Sequence, residues 1–241
     1  MNKPIYGIKS DELCLSLTFD INWAETDYLE SILEVLDKYN VKGTFFVMGG
    51  WVEYSEDNIK ELKSIHERGH EIGNHSYMHP SFTKITEEAM EDEVKKTEEV
   101  IFKYTGERTK LFRFPSGEYN EASINKIKAM NYIPIQWNAD SIDWKECGAD
   151  IEYNNVIKNT KSGGILLFHN NAKYTPQNLE KLIIKLKEDG YEFKPVGKMI
   201  YKNDYHIDAN GIQNPNWIFF YKIYLIILKN SMILHYNGNI Y

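Results

Sequence analysis

A chain of 241 residues is long enough for one large domain with a substantial core, and barrels of this size are commonly a single unit. With 42% hydrophobic and 26% charged residues it has the composition of an ordinary soluble globular protein. The net charge of −7, with no basic run, disfavours a nucleic-acid partner, which would need a cationic surface.

Apolar runs rich in β-branched and aromatic residues alternate with longer segments of helical period. Met1 to Asp20 has no long apolar core after a basic start, so no secretory signal is visible; either the protein stays inside or this gene start omits an export segment. The first run is Leu13 to Phe19, in which Cys14 reads as a buried free thiol; neither Cys14 nor Cys147 belongs to a C-x-x-C pair. A helix follows over about Asp27 to Tyr39, with Asp27 as N-cap, Glu30 three residues later, and Leu29, Ile32, Leu33 and Leu36 turned inward. The second run, Val41 to Met48, precedes a helix over Asp57 to Glu67 that stops at Gly69. The third, His70 to Gly73, precedes a long helix beginning near Thr86, with Glu87 and Glu88 in its first turn suiting the dipole and Met90, Val94 and Ile101 inward. Leu111 to Phe114 leads to a helix near Glu121 to Met130. Tyr132 to Trp137 leads to a weaker one near Ile151 to Thr160, stopped by Gly163 and Gly164. After Ile165 to Phe168 a helix opens with Thr175 as cap and Pro176 in the first position, and ends at Gly190; Tyr191 to Val196 is the seventh run.

Seven strands with helices between them imply parallel pairing with right-handed crossovers, and closed up they form an incomplete (β/α) barrel. Chemistry in such barrels sits where strands end and the loops to the helices begin. Asp20 ends the first run, His75 and His79 follow the third, Arg113 lies in the fourth, Asp140 and Asp143 follow the fifth, and His169 ends the sixth. These polar groups converge on one rim. Two imidazoles four residues apart also fall on one side of a helical turn, so His75 and His79 can reach a single ion. After Val196 the pattern fails. Residues 203–216 are polar and turn-rich, and 216–241 are crowded with aromatic, Ile, Lys and Asn residues. The apolar stretch Ile218 to Leu228 is interrupted by Lys222 and is short for a membrane span. It reads as a helix packed on the barrel, as an interfacial segment, or as a non-native extension, and it is the only route to membrane contact.

Thr18-Phe19-Asp20, His75-Ser76-Tyr77-Met78-His79, Arg113-Phe114-Pro115-Ser116-Gly117, Asp140-Ser141-Ile142-Asp143-Trp144 and Leu166-Leu167-Phe168-His169 occur in that order. They resemble the five motifs of the polysaccharide deacetylases (the NodB-homology domain, carbohydrate esterase family four). Asp20-Ile21-Asn22-Trp23 is similar to the spore-associated branch rather than to secreted chitin or xylan deacetylases. The resemblance implies an α/β fold, a distorted (β/α)7 barrel of the glycoside hydrolase–deacetylase type over residues 11–196, with 197–241 as an extension. It also implies metal-assisted removal of N-acetyl groups from an amino-sugar polymer, peptidoglycan or a related cell-wall glycan, and a cell-wall or spore location.

Hydrolysing an acetamide needs an activated water, stabilisation of the tetrahedral intermediate and a proton for a poor amine leaving group. A divalent ion (zinc, cobalt or nickel) held by His75 and His79 would polarise the carbonyl and acidify water. Asp20 is placed as base and His169 as acid; Asp143 would orient His169 and favour its protonated form, with Asp140 either sharing that task or capping its loop. Arg113 would keep Asp20 ionised, unless it is a surface salt bridge of little worth. Ser116 would offer its backbone N–H to the oxyanion, and Trp144 and Leu167 would wall an acetyl-sized pocket or simply be core. One departure stands out. Active relatives carry a second Asp directly after the base as a metal ligand; here that place holds Ile21, and the neutral amide of Asn22 would have to serve from a different strand phase. A catalytically silent glycan-binding barrel is therefore the alternative, and a barrel hydrolase acting on a small cyclic amide or acetylated metabolite is a third reading.

Overall fold

The computed structural model describes residues 3–216. After the short strand β1 (Gly7–Ile8), the eight residues of β2 (Cys14–Ile21) are all buried, and their alternation sorts the two faces of the sheet. Leu15, Leu17, Phe19 and Ile21 join the apolar layer shared with the helices, while Ser16, Thr18 and Asp20 bring polar groups to the interior face. Helix α1 (Leu29–Lys38) buries the expected Leu29, Ile32, Leu33 and Leu36 in that outer layer. Its cap differs from expectation. Tyr28 is the N-cap residue, and Asp27 accepts the Leu29 N–H at 2.7 Å from one position earlier, the two-residue reach of an Asx turn.

The remaining elements are β3 (Thr44–Val47), α2 (Gly49–Val52), α3 (Glu56–Glu67), β4 (Glu71–Asn74), α4 (Glu87–Thr105), β5 (Leu111–Phe112), α5 (Glu121–Ala129), β6 (Ile133–Pro134) and β7 (Ala139–Asp140), then α6 (Ala149–Asn159), β8 (Gly164–His169), α7 (Thr175–Glu188), β9 (Glu192–Phe193), α8 (Val196–Met199), β10 (Tyr205–Ile207) and β11 (Ile212–Pro215). Thr86 caps α4 as its sequence suggests, and Ser55 starts α3 by accepting the Asn58 N–H at 3.1 Å. Helix α7 begins on Thr175 with Tyr174 as cap; the Thr175 hydroxyl donates instead to Asp143 at 2.8 Å.

The sheet runs β10-β11-β1-β8-β2-β3-β4-β5-β6, with β7 against β8 and β9 against β2. Strands β8, β2, β3, β4, β5 and β6 are parallel neighbours. Between β6 and β8 the N-terminal segment closes the curl. Ile5 donates to Pro134 O at 2.9 Å and accepts from Gln136 N at 2.7 Å, while Gly7 pairs with Gly164 of β8. The architecture is the distorted (β/α)7 barrel. Residues 203–216, polar by sequence, form the hairpin β10–β11, and β11 pairs with β1 at the sheet edge, where one exposed side removes the need for an apolar run. Residues 217–241, with the apolar stretch Ile218 to Leu228, lie outside the described residues. Among the described residues no helix is long and apolar enough to cross a membrane.

Phe19 links three strands of the outer layer, stacking on Phe45 of β3 (ring centroids 4.7 Å apart) and on Phe168 of β8 (5.7 Å). Phe19→Ala is expected to cost about 3–5 kcal/mol of unfolding free energy in urea denaturation, because the surrounding strands cannot collapse into the cavity.

Candidate active site

Asp20 of β2 and His169 of β8 are paired in register, so both leave the sheet at the same level. They line a cavity of about 430 Å³ together with Asn22, His75, His79, Ser116, Trp144 and Leu167. Arg113 and Asp143, both buried, stand behind Asp20 and His169. All ten candidate residues are thus brought to one place. A wider groove of about 740 Å³, lined by Leu13, Asn40, Lys187 and Tyr191 among others, gathers none of them.

Arg113 is wholly buried, which excludes the surface salt bridge. Its Nη1 donates to Asp20 Oδ1 at 2.7 Å and to Thr18 Oγ1 at 2.9 Å, its Nη2 donates to Gln136 O at 3.2 Å, and the guanidinium lies 4.1 Å from the centroid of the Phe46 ring. Burial by itself would raise the Asp20 carboxyl; the charges of Arg113, His75 and His169, with the Arg113 hydrogen bond, outweigh it and hold Asp20 below the usual carboxylate range. Burial pushes His75 down to about 4, so its contribution applies only in acid, and at neutral pH Arg113 is the main partner keeping Asp20 ionised.

On the other side His169 Nδ1 lies 2.7 Å from Asp143 Oδ1, and the His169 N–H donates to Asp143 Oδ2 at 2.9 Å. Asp143 Oδ2 also accepts the Thr175 hydroxyl, so the carboxylate is fixed from three directions. Burial would lower the His169 pKa; the hydrogen bond and charge of Asp143, then Asp20 and Asp140, reverse the direction and raise it. Asp140 does not share the positioning of His169. Its Oδ1 accepts the Ile142 N–H at 2.7 Å and its Oδ2 accepts Trp137 Nε1–H at 3.2 Å, which makes it the cap of its own loop.

The histidine pair meets by a route the sequence did not suggest. Residues 75–79 are a loop and not a helical turn, with Ser76 (φ 68°) and His79 (φ 59°) in the left-handed region. The loop is held instead by side chains: Asn74 Oδ1 accepts the Ser76 N–H at 2.9 Å, and Glu93 Oε2 accepts the Tyr77 and Met78 N–H groups at 2.8 and 2.7 Å. The two rings still lie edge to face, 4.9 Å between centroids. His75 Nδ1 is 2.9 Å from Arg113 O, a carbonyl that can only accept, so Nδ1 carries the proton and the Nε2 lone pair points toward Asp20 Oδ2, 3.5 Å away. A carbonyl fixing the far nitrogen is the arrangement that prepares an imidazole for a cation, and the pair fits a divalent metal in that respect. Among the described residues, however, no cluster of three or more His, Cys, Asp and Glu side chains is gathered around one point. Ile21 is fully buried in the outer apolar layer, turned to the face opposite Asp20. Asn22, the first residue after β2, lines the cavity with Asp20.

Ser116 (φ 54°) kinks the turn after Arg113; the turn's own bonds run from Gly117 N to Phe114 O and from Glu118 N to Pro115 O, which leaves the Ser116 N–H outside that pairing. Leu167 is buried in the cavity floor, whereas Trp144 is 59% exposed at the rim, so Trp144 is not core. Three contributors escaped the sequence reading. Thr175 reads as a helix cap, Thr18 stands in the first motif with no role of its own, and Asn170, directly after His169, belongs to no motif. Asn170 Oδ1 accepts the Asn22 N–H at 2.8 Å and its Nδ2 donates to Asn22 O at 3.1 Å, tying the exit of β2 to the end of β8.

The polysaccharide deacetylase family model matches residues 7–135, more than half of the chain. The chain belongs to the polysaccharide deacetylase family. Among curated proteins, this polysaccharide deacetylase is 33% identical to the peptidoglycan-N-acetylmuramic acid deacetylase PdaA of Bacillus subtilis, over 82% of the chain and 75% of that protein. It is also 33% identical to the B. subtilis protein YlxY, over 82% of the chain but only 60% of YlxY's length. Among solved structures it superposes with a TM-score of 0.78, at 30% identity, on BA3943 of Bacillus anthracis, described as a pseudoenzyme of carbohydrate esterase family four; the match covers 89% of this chain and 73% of that one.

Proposed function

We propose that this polysaccharide deacetylase is a hydrolase that removes N-acetyl groups from a cell-wall amino-sugar polymer of the peptidoglycan class, with Asp20 as base and His169 as acid. The observation that carries the reading is the in-register Asp20–His169 pair, one group whose ionised form is favoured by Arg113 and the other whose protonated form is favoured by Asp143. The substrate named for PdaA supports peptidoglycan as the polymer, and a cell-wall or spore-associated location is in keeping with that choice. Residues 11–196, which hold every candidate site residue, are the proposed catalytic unit and 197–241 the extension, whose hairpin β10–β11 adds to the same sheet.

A zinc, cobalt or nickel ion held by His75 and His79, with the Asn22 amide as a weak third donor, would supply a polarised acetyl carbonyl and a more acidic water. The chain's own groups account for the proton movements. Asp20 takes a proton from the water whose oxygen bonds to the acetyl carbon, and the Ser116 N–H faces the oxyanion that develops. His169 Nε2 protonates the nitrogen as the C–N bond breaks, so acetate and a free amine leave. Leu167 and Trp144 wall the space for the methyl group. The test is acetate release from N-acetylglucosamine oligomers and cell-wall fragments with each of the three metals added, alongside elemental analysis of the protein as purified. No acetate under any of these conditions overturns the reading.

Asp143→Asn is expected to move the high-pH limb of the rate profile down by about 1–3 pH units, since the charge that raises His169 is gone. The stability consequence has a fixed sign. A histidine raised above its unfolded value of roughly 6.5 contributes stability that is full below that pH and is lost as pH rises through the folded value. Urea midpoints measured across that window should therefore vary less in Asp143→Asn than in the parent.

Ile21 favours a second reading, a barrel that binds glycan without hydrolysing it, and the likeness to a protein described as a pseudoenzyme supports it. Equilibrium binding to glycan without acetate release, unaltered in His75→Ala, is the result that selects this reading.

A further inference from the structure

Two large apolar side chains face solvent directly beside the polar cavity, where the mechanism assigns them nothing. Trp23 (37% exposed) follows Asn22, and Met78 (56% exposed) precedes His79. They converge on Gly50, which follows β3. A Cβ built on Gly50 would meet Met78 Sδ at 2.8 Å and Trp23 Cζ2 at 3.2 Å, so the sulfur and the indole edge both rest over a residue that must lack a side chain.

The shelf is also held still. The Trp23 loop is clamped by Asn170, whose Nδ2 donates to Asn22 O at 3.1 Å and to Asp27 Oδ2 at 2.6 Å. Met78 is clamped by its N–H on Glu93. An exposed apolar pair with immobilised backbone loses little freedom when a ligand covers it.

We infer that Trp23 and Met78, seated on Gly50, form a stacking shelf for the sugar next to the one being deacetylated, an inference that rests on the glycan reading of the site. The sheet order gives the geometry. Trp144 follows β7, beside β8, whereas Trp23, Gly50 and Met78 follow β2, β3 and β4, so the cavity lies between two apolar flanks. A pyranose presents a C–H face that lies flat on an indole, while its hydroxyls remain free for the amides of Asn22 and Asn171 at the cavity wall. A chain of amino sugars meets both flanks at once; a single acetylated sugar in the cavity meets Trp144 without reaching across to the shelf.

The experiment is calorimetric binding of N-acetylglucosamine dimers and pentamers to the full chain, with Trp23→Ala, Met78→Ala and Trp23→Phe as variants and acetate release followed in parallel. The shelf predicts tighter binding of the pentamer than of the dimer. It predicts that the pentamer-to-dimer ratio of Kd values shifts about tenfold in Trp23→Ala, with most of the preference retained in Trp23→Phe. Parent-like ratios in both alanine variants overturn the inference, as does a parent chain that binds neither oligomer. Shelf-dependent binding with no acetate keeps the shelf and sinks the hydrolytic reading, and acetate release with shelf-independent binding does the reverse.

Discussion

Asp20→Ala is expected to abolish acetate release and also to destabilise the barrel by about 3–5 kcal/mol, a cost far above that of an ordinary active-site truncation. The reason is Arg113. With the carboxylate removed, a wholly buried guanidinium retains only Thr18 Oγ1 and Gln136 O, and its Nε has no hydrogen-bond partner among the described residues even in the intact protein. Asp20→Asn can still accept one Nη1–H bond and should fall between the two, because it loses the charge and keeps the geometry. The decisive comparison is Asp20→Ala combined with Arg113→Met. An unbranched thioether fits the slot between Phe46 and Trp137 that the guanidinium occupies, and removing both charges should recover much of the lost stability in urea denaturation. Activity should not return with it. Stability restored without acetate release would separate the structural cost of the buried pair from the catalytic role of the base. The pH dependence has the opposite sense to that of His169. A carboxyl held below its unfolded value stabilises above roughly pH 3.9 and loses that contribution as pH falls through the folded value.

The parts of the molecule that could be read from its sequence are those governed by periodicity. The run around Phe19 and the inward face Leu29, Ile32, Leu33 and Leu36 sit where alternation and helical period put them. The phase argument that polar groups end successive strands brought Asp20, His75, Arg113, Asp143 and His169 to one end of the barrel, because a residue at a strand's exit has no freedom to go elsewhere. What failed was local backbone geometry set by distant side chains. The histidine pair resembles a helical i, i+4 pair in sequence. It is in fact a loop strapped down by Glu93 from α4 and Asn74, and no short-range rule anticipates a strap sixteen residues away. Strands β10 and β11 were hidden because an edge hairpin needs no apolar run, and the segment Ile5 to Ile8 because its pairing with Pro134, Gln136 and Gly164 is wholly non-local. Ile21 was visible as a departure from the family pattern. Its side chain belongs to the outer apolar layer, and Asn22 reaches the cavity from the other phase, as the alternation of β2 implies.

His169→Asn isolates the acid from the fold. The asparagine amide places an N–H at the Nδ1 position and keeps the bond to Asp143 Oδ1, while the backbone N–H of residue 169 and the Thr175 hydroxyl continue to hold Oδ2. The buried Asp143 carboxylate is then not orphaned, and the unfolding free energy should stay within about 1 kcal/mol of the parent. The variant has nothing to offer the departing nitrogen. A general acid typically contributes 10²–10⁴-fold, so kcat on N-acetylglucosamine oligomers should fall by about that factor, with metal content and glycan affinity close to the parent's. His169→Ala gives the contrast. It leaves Asp143 Oδ1 unpaired in a buried position and should add a stability loss of about 1–3 kcal/mol to the same fall in rate. Equal rates for the parent and His169→Asn would mean that the leaving amine takes its proton from another source, and the pairing of Asp20 with His169 across β2 and β8 would then position a glycan without driving its hydrolysis.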